Sequence, residues 1–390
     1  MLYLLFEKCR SWIYAKNLDG PLGVLDQVEF RALAAAGLAF AIVLLSGRRV
    51  ITLLTRLKIG DPGLTDAESL RRVSSSKANT PTMGGVLIAG AIFLSTFLLG
   101  DLTERWVQLG LIVLVWMAAV GAADDWLKMT AARRGGSRQG LYAWEKLLFQ
   151  LGIGAIIGYF GYRAGLSNAP VDIAHVLNVP FQKTYESALT DRLGPGVLVL
   201  PMGIYMLVSV LMIAGMSNAV NITDGMDGLA AGLSAVVTLG LVVLALIAGT
   251  QAWAQTLLVP AVAGSAELAV LAGATAGACL GFLWFNCSPA QVFMGDTGSL
   301  CLGGIIGYIA VVVRQEAVVV LMAGVFIAEI LSVVIQVGYY KLTKGKRIFR
   351  CAPFHHHLHL GGWTEQQVVS RLWIISVILM VVGLASIKVR

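Results

Sequence analysis

Ten apolar stretches constrain this chain more than any other feature: Phe30–Gly47, Met83–Leu99, Trp106–Ala123, Leu147–Tyr162, Val197–Met216, Leu229–Ala248, Leu268–Phe285, Ser299–Val313, Val318–Val337 and Leu372–Ile387. Each comes close to the roughly 20 residues that a helix needs to cross a bilayer core. In hydrocarbon every backbone N–H and C=O must find its partner within the chain, and an α-helix achieves this inside one segment. Composition agrees, since 57% of the residues are apolar or aromatic and only 13% are charged, about half the roughly 25% usual in soluble domains. Mean hydropathy is +0.79. Such a chain can neither coat a soluble globule with polar groups nor remain disordered. The expected fold class is an all-α polytopic membrane protein with ten transmembrane helices. No linker or long repeat divides it, so residues 1–390 read as a single integral-membrane domain.

Lysine and arginine set the orientation. The connections after odd-numbered spans carry 18 of the 29 basic residues, and the opposite side carries 11, termini included. The odd-numbered loops are therefore expected in the cytoplasm, with both termini outside. The net charge of +7 fits loops beside anionic lipid and gives no reason to invoke nucleic acid. The five cysteines show no paired spacing, so neither disulfides nor a zinc ribbon is expected. The apolar run in MLYLLFEKCRSW is too short for a secretory signal, which leaves the first span to target the chain. The outward loop 163–195, with its alternating polarity, suggests a small hairpin.

The unusual polar clusters gather on the predicted cytoplasmic side. Asp124 and Asp125 end the third span, and adjacent positions on a helix diverge by about 100°, so one carboxylate would serve a metal or proton and the other a neighbouring loop. The bland alternative is a pair of boundary acids. Asp224 and Asp227, three apart in Asn221-Ile-Thr-Asp-Gly-Met-Asp-Gly228, have the spacing that shares a helical face; otherwise they belong to a solvated turn. Asp296, between glycines at a helix start, suits a magnesium–phosphate site or else caps that helix. His355, His356 and His357 lack the partners of a zinc site and suit contacts to phosphate. Lys77, with Arg71 and Arg72, offers phosphate-binding charge. Glu329 is the only acid well inside a span, where an interhelical hydrogen bond is its ordinary role. Gly154-Ala-Ile-Ile-Gly158 reads as a helix-packing motif.

Taken together, the motifs resemble those of the phospho-N-acetylmuramoyl-pentapeptide-transferase family, within the polyprenyl-phosphate N-acetylhexosamine-1-phosphate transferases. They are Thr80-Pro-Thr-Met-Gly-Gly85, Asp124-Asp125 with Lys128, Gly140-Leu141 with Lys146 and Gln150, Ser217 through Leu229, Phe293-Met-Gly-Asp-Thr-Gly-Ser299 and Ala352-Pro-Phe-His-His-His357, in family order. The resemblance implies transfer of phospho-N-acetylmuramoyl-pentapeptide from UDP to undecaprenyl phosphate with Mg2+, releasing UMP, at the cytoplasmic face of a bacterial inner membrane. It implies that Asp124, Asp125, Asp296 and His355 are catalytic, Asp296 being the metal ligand and Asp124 nearest the lipid phosphate. Lys77, Thr82, Asn221, Asp224, Asp227, Asn286, Phe293 and His356 would bind substrate, with Phe293 stacked on uracil. The partners would be the nucleotide substrate, the lipid phosphate and the bilayer; a homodimer is compatible with this, and nucleic acid is not expected. A relative using a simpler UDP-GlcNAc-type sugar is the nearest alternative. A transporter fits less well, because transporters place charge near the bilayer midplane. The family pattern is departed from in three places: Asn79 for glycine, Cys351 for methionine, and Leu358-His359 for Phe-Glu.

Overall fold

The computed structural model describes residues 1–16, 22–56, 80–133, 140–168, 175–187 and 190–388. Its helices are α1 (Leu2–Ala15), α2 (Val28–Arg56), α3 (Gly85–Leu99), α4 (Arg105–Arg133), α5 (Ala143–Asn168), α6 (Met202–Thr223), α7 (Leu229–Gly249), α8 (Gln251–Thr256), α9 (Leu268–Asn286), α10 (Gly295–Val312), α11 (Glu316–Met322), α12 (Gly324–Leu342), α13 (Phe354–His359) and α14 (Glu365–Lys388). Among the described residues nine helices are long and apolar enough to cross a membrane. The chain is a mostly helical, multi-pass membrane protein. The second expected span is the shorter helix α3, of 15 residues. The ninth is interrupted at Ala323, whose ψ of 18° departs from helical geometry. Gly324 follows, where a Cβ would lie 2.9 Å from Leu379 of α14, so the bend lets α14 pack closely.

Burial runs from centre to rim. Within the spans, 89% of the α10 window and 83% of the α9 window is buried, against 28% for α2, α12 and α14, which places α9 and α10 at the middle of the bundle. The outer helices turn Leu33, Leu45, Val334 and Ile378 outward, as lipid contact requires. Small residues permit the close approaches. Gly273, Gly277 and Gly281, one turn apart on α9, face the backbone carbonyls of Ala32, Ala36 and Phe40 on α2. Gly303 and Gly307 of α10 do the same against Met216 and Met212 of α6. The expected packing motif on α5 is seen too: a Cβ at Gly154 or Gly158 would stand 2.9 Å from the Cα of Val210 or Met206 on α6. Without a hydrophobic force between helices in lipid, such contacts and interhelical hydrogen bonds hold the bundle.

One end of the bundle carries short antiparallel strands, the only sheet structure among the described residues. β1 (Val176–Leu177) pairs with β4 (Leu198–Val199), and β2 (Tyr185–Ser187) pairs with β3 (Thr190–Leu193). The expected hairpin in 163–195 is therefore present. Asn178 Nδ2 donates to Gln315 Oε1 at 2.6 Å, and Thr184 Oγ1 donates to Asn178 Oδ1 at 3.0 Å, fastening this loop to the end of α10. At the same end the buried Arg31 guanidinium grips both Glu267 oxygens, at 2.5 and 2.6 Å. The acidic motifs lie at the opposite end.

Candidate active site

The last turns of α4 and the first turn of α10 meet through glycines. Gly121 abuts the Asp296–Thr297 backbone, and Gly85 abuts Gly298, in each case too closely to admit a Cβ. That contact brings Asp124, Asp125 and Asp296 together, with one oxygen of each within 4.8 Å of the others. Adjacent carboxylates on one helix were expected to diverge. They still reach one site, because the head of α10 is inserted beside both of them.

The three carboxylates do different things. Asp125, 4% exposed, accepts the Asp296 backbone N–H at 3.1 Å, the Thr297 N–H at 3.0 Å and the Thr297 hydroxyl at 2.7 Å. It caps α10 from another helix, satisfying donors that have no intrahelical partner. Asp296 stands inside the first turn of α10, whose N-cap is Met294, and is free for other partners. It accepts instead from Lys146 Nζ at 2.8 Å, Lys128 Nζ at 3.2 Å and Asn221 Nδ2 at 3.0 Å. Asp124 is fully buried and accepts from Lys128 at 2.5 Å, Lys146 at 3.0 Å and the Leu141 N–H at 2.7 Å. Two ammonium groups therefore bridge two carboxylates, and the Asp124–Asp296 pair is held by charge in a largely water-excluded mouth.

Oxygen-only donors at this spacing suit a small hard cation such as magnesium, which would keep part of its water shell. Asp124 and Asp296 have capacity to hold one. Asp125 has little, since its donors are the backbone and hydroxyl of the α10 head and cannot be exchanged for a cation without uncapping that helix. Asp124 and Asp296, by contrast, accept mostly from lysine ammonium groups that can move aside.

The neighbouring loop corrects one expectation. Residues 224–228 form a turn between α6 and α7, so Asp224 and Asp227 do not share a helical face. Asp227 accepts the Ala290 N–H at 3.1 Å. Asn286 accepts the Gly228 N–H at 3.0 Å and donates to the Val292 carbonyl at 2.9 Å. Both tie the turn to the loop that carries Phe293, which is half-buried. Asp224 stands outside the carboxylate trio but within its field. Burial first, then the charges of Asp296, Asp125 and Asp227, push its carboxyl up to about 7, against a hydrogen bond from the Gly295 backbone. Gly295 itself takes φ +73°, and a Cβ there would lie 2.7 Å from Asp125 and 3.1 Å from Thr82 Oγ1. Thr82 therefore lines the same mouth, and the Thr80–Gly85 segment is pinned by Phe293 N–H to Pro81 O and Gly84 N–H to Phe293 O, both 2.8 Å. Lys77, Arg71, Arg72 and Asn79 lie outside the described residues.

His355 begins α13 and is fully buried. Its Nδ1 lies 3.0 Å from Glu329 Oε2, and its Nε2 points at Gly225, where a Cβ would stand 2.5 Å away. His356 is half-buried beside it, ring centroids 4.2 Å apart. His357 turns away and accepts the Arg350 N–H.

A family model described as glycosyl transferase family 4 matches residues 107–314. Phospho-N-acetylmuramoyl-pentapeptide-transferase signature 1 matches residues 77–88. The phospho-N-acetylmuramoyl-pentapeptide-transferase of Desulfotalea psychrophila (strain LSv54 / DSM 12343) is 41% identical over 368 residues, 94% of this chain and 95% of that protein. The chain belongs to the phospho-N-acetylmuramoyl-pentapeptide-transferase family.

Membership gives weight to residues for which sequence reasoning assigned no role. Lys128 and Lys146 were legible only as family text, yet they join Asp124 to Asp296. Gln150 and Asn218 form a relay behind them, Asn218 Nδ2 to Gln150 Oε1 at 2.7 Å and Gln150 Nε2 to Ser217 Oγ at 3.2 Å. Spacing alone carries no signal for such a relay, because its members lie on different helices. His359 bonds the Trp363 carbonyl through Nδ1 at 2.9 Å, a local contact within its own turn. His355→Ala is therefore expected to lower turnover by about 100-fold, the scale of a lost positioned polar group, whereas His359→Ala is expected to stay within about three-fold. Steady-state UMP release by the two purified variants checks this; a larger loss at His359 reverses the assignment.

Proposed function

We propose that this protein transfers phospho-N-acetylmuramoyl-pentapeptide from its UDP carrier to undecaprenyl phosphate in the bacterial inner membrane, with Mg2+ as cofactor. The observation that carries this reading is the trio Asp124, Asp125 and Asp296 with two bridging lysines, set at the end of the bundle where the family motifs meet. A lipid phosphate oxygen attacks the sugar-side phosphorus of the UDP diphosphate. The bond from that phosphorus to the bridging oxygen breaks, UMP leaves with the electron pair, and a new phosphoanhydride joins sugar to lipid. Two anions must approach, so positive charge is required. A lipid phosphate near pH 7 is already largely ionised, its second pKa lying around 6, and needs little help from a base.

Mg2+, when bound, supplies Lewis-acid neutralisation of the diphosphate, and Asp296 with Asp124 would hold it. Asp125 fixes the head of α10 that presents Asp296. Lys128 and Lys146, placed between the same carboxylates, are donors for phosphoryl oxygens. Asp124 lies nearest the lipid phosphate in this reading. Asn221, Asp224, Asp227, Asn286, Phe293, Thr82, Lys77 and His356 bind the nucleotide substrate, Phe293 by stacking on uracil. His355 completes the catalytic set.

This reading treats residues 1–390 as one integral-membrane unit of ten spans, both termini outside and the active site facing the cytoplasm; it is compatible with a homodimer. One buried cluster reaching from Ala32 to Ile387 supports the single unit, and the excess of lysine and arginine at the active-site end supports the orientation. The test is UMP release by purified protein in detergent, with undecaprenyl phosphate and Mg2+, from UDP-N-acetylmuramoyl-pentapeptide and from UDP-GlcNAc. Turnover of the first alone is expected. Turnover of UDP-GlcNAc alone would sink the reading.

A further inference from the structure

Glu329 lies on α12 with a fully buried side chain, the kind of intramembrane acid that ordinarily means helix-to-helix adhesion. Its partner is not another spanning helix. Glu329 Oε1 and Oε2 accept the backbone N–H of His355 at 3.1 and 3.2 Å, and Oε2 also meets His355 Nδ1 at 3.0 Å. Both ends of the contact are closed to water. With the His355 backbone N–H bound to the same carboxylate that meets Nδ1, the ring is held in one orientation. The remaining ring nitrogen, Nε2, is buried and has no hydrogen-bond partner. It is aimed at Gly225, in the turn between Asp224 and Asp227. A buried polar atom without a partner costs free energy, and a side chain oriented by a second group so as to present one atom is the usual arrangement of a site awaiting a ligand.

We infer that Glu329 is a positioning residue that locks His355 so that Nε2 meets a polar atom of the bound nucleotide-sugar over the Asp224–Gly228 turn. The inference rests on the reading of this end of the bundle as the transferase site. Glu329 touches no substrate itself; it acts through His355. Gly225 belongs to the same device, because any side chain there would occupy the space that Nε2 faces. Against the ring itself stand Glu329 from α12 and His356 from α13, and the glycine it faces lies in sequence between Asp224 and Asp227.

The experiment is a double-mutant cycle on full-length protein in detergent: wild type, Glu329→Gln, His355→Ala and the double variant, with kcat, KM for the UDP substrate and the Kd of UMP measured for each. Wild-type UMP release confirms the reaction independently, so failure of the reaction and failure of the inference are distinguishable. Glu329→Gln is expected to lower kcat/KM by at least ten-fold. In the His355→Ala background the same change is expected to cost less than about three-fold, since coupled residues do not add. Glu329→Asp is expected to recover part of the loss. Where turnover of the His355→Ala variants falls below detection, the UMP dissociation constants give the same cycle. Losses that multiply in the double variant, or an unaltered kcat/KM in Glu329→Gln, would overturn the inference. A thermal unfolding midpoint that falls equally in both backgrounds while kcat/KM multiplies would mark Glu329 as structural only.

Discussion

Asp296→Asn is expected to reduce UMP release by about 10³-fold or more, the scale of losing a central electrostatic group at a phosphoryl centre, while leaving the protein folded. The fold should tolerate the change because Asp296 caps nothing: the head of α10 is held by Asp125. What asparagine removes is the negative charge that Lys128, Lys146 and Asn221 converge on. Two ammonium groups would then face Asp124 alone, and the capacity to hold a divalent ion would fall. The measurement is turnover across a magnesium titration, with size-exclusion behaviour and thermal unfolding as controls on folding. Near-wild-type turnover at saturating magnesium would remove Asp296 from the site.

Asp125→Asn is expected to damage both fold and turnover, which separates it from Asp296→Asn although the two residues are neighbours in space. The Asp125 carboxylate satisfies three donors at the start of α10. Asparagine offers one carbonyl oxygen and turns an NH2 group toward donors that have no other acceptor. Leaving one such buried group unsatisfied costs about 1–3 kcal/mol. A shift of roughly 1 Å in the Asp296 carboxylate, which follows from a loosened helix head, costs about 100-fold in rate. The expected result is a lowered unfolding midpoint together with that loss of turnover. Thr297→Val, which removes a single donor to the same carboxylate, should show a smaller version of both effects. An Asp125→Asn protein of undiminished stability would mean that Asp125 is not the cap of α10.

The local character of each segment was legible without coordinates. Apolar length located nearly every span, and the glycine pair on α5 announced a close helix contact that α6 provides. The prolines and partial alternation of the loop 163–195 pointed to its hairpin. The errors are informative as well. The i,i+3 spacing of Asp224 and Asp227 implied a shared face, but the chain leaves helical geometry at Asp224, and the two carboxylates bond different backbone groups. Val318–Val337 looked like one uninterrupted span because hydropathy does not register a bend at Ala323 that serves packing against Leu379. Glu329 looked like a helix-to-helix tether because its partner, His355, lies 26 residues onward in a short helix of its own.

Sequence by itself determined that this chain spans a membrane many times, that its carboxylates, lysines and histidines gather in a few connecting segments, and which family those segments resemble. These properties belong to composition and local order, and hydrocarbon enforces them on each segment separately. Only the tertiary structure decided the division of labour among the acids. Asp125 holds a helix, Asp124 and Asp296 share two ammonium groups, and Asp227 ties a turn, because each carboxylate's role depends on which donors a distant helix brings within about 3 Å. That proximity is set by glycines on α3, α4 and α10 that let backbones touch, and no spacing within one segment can record it.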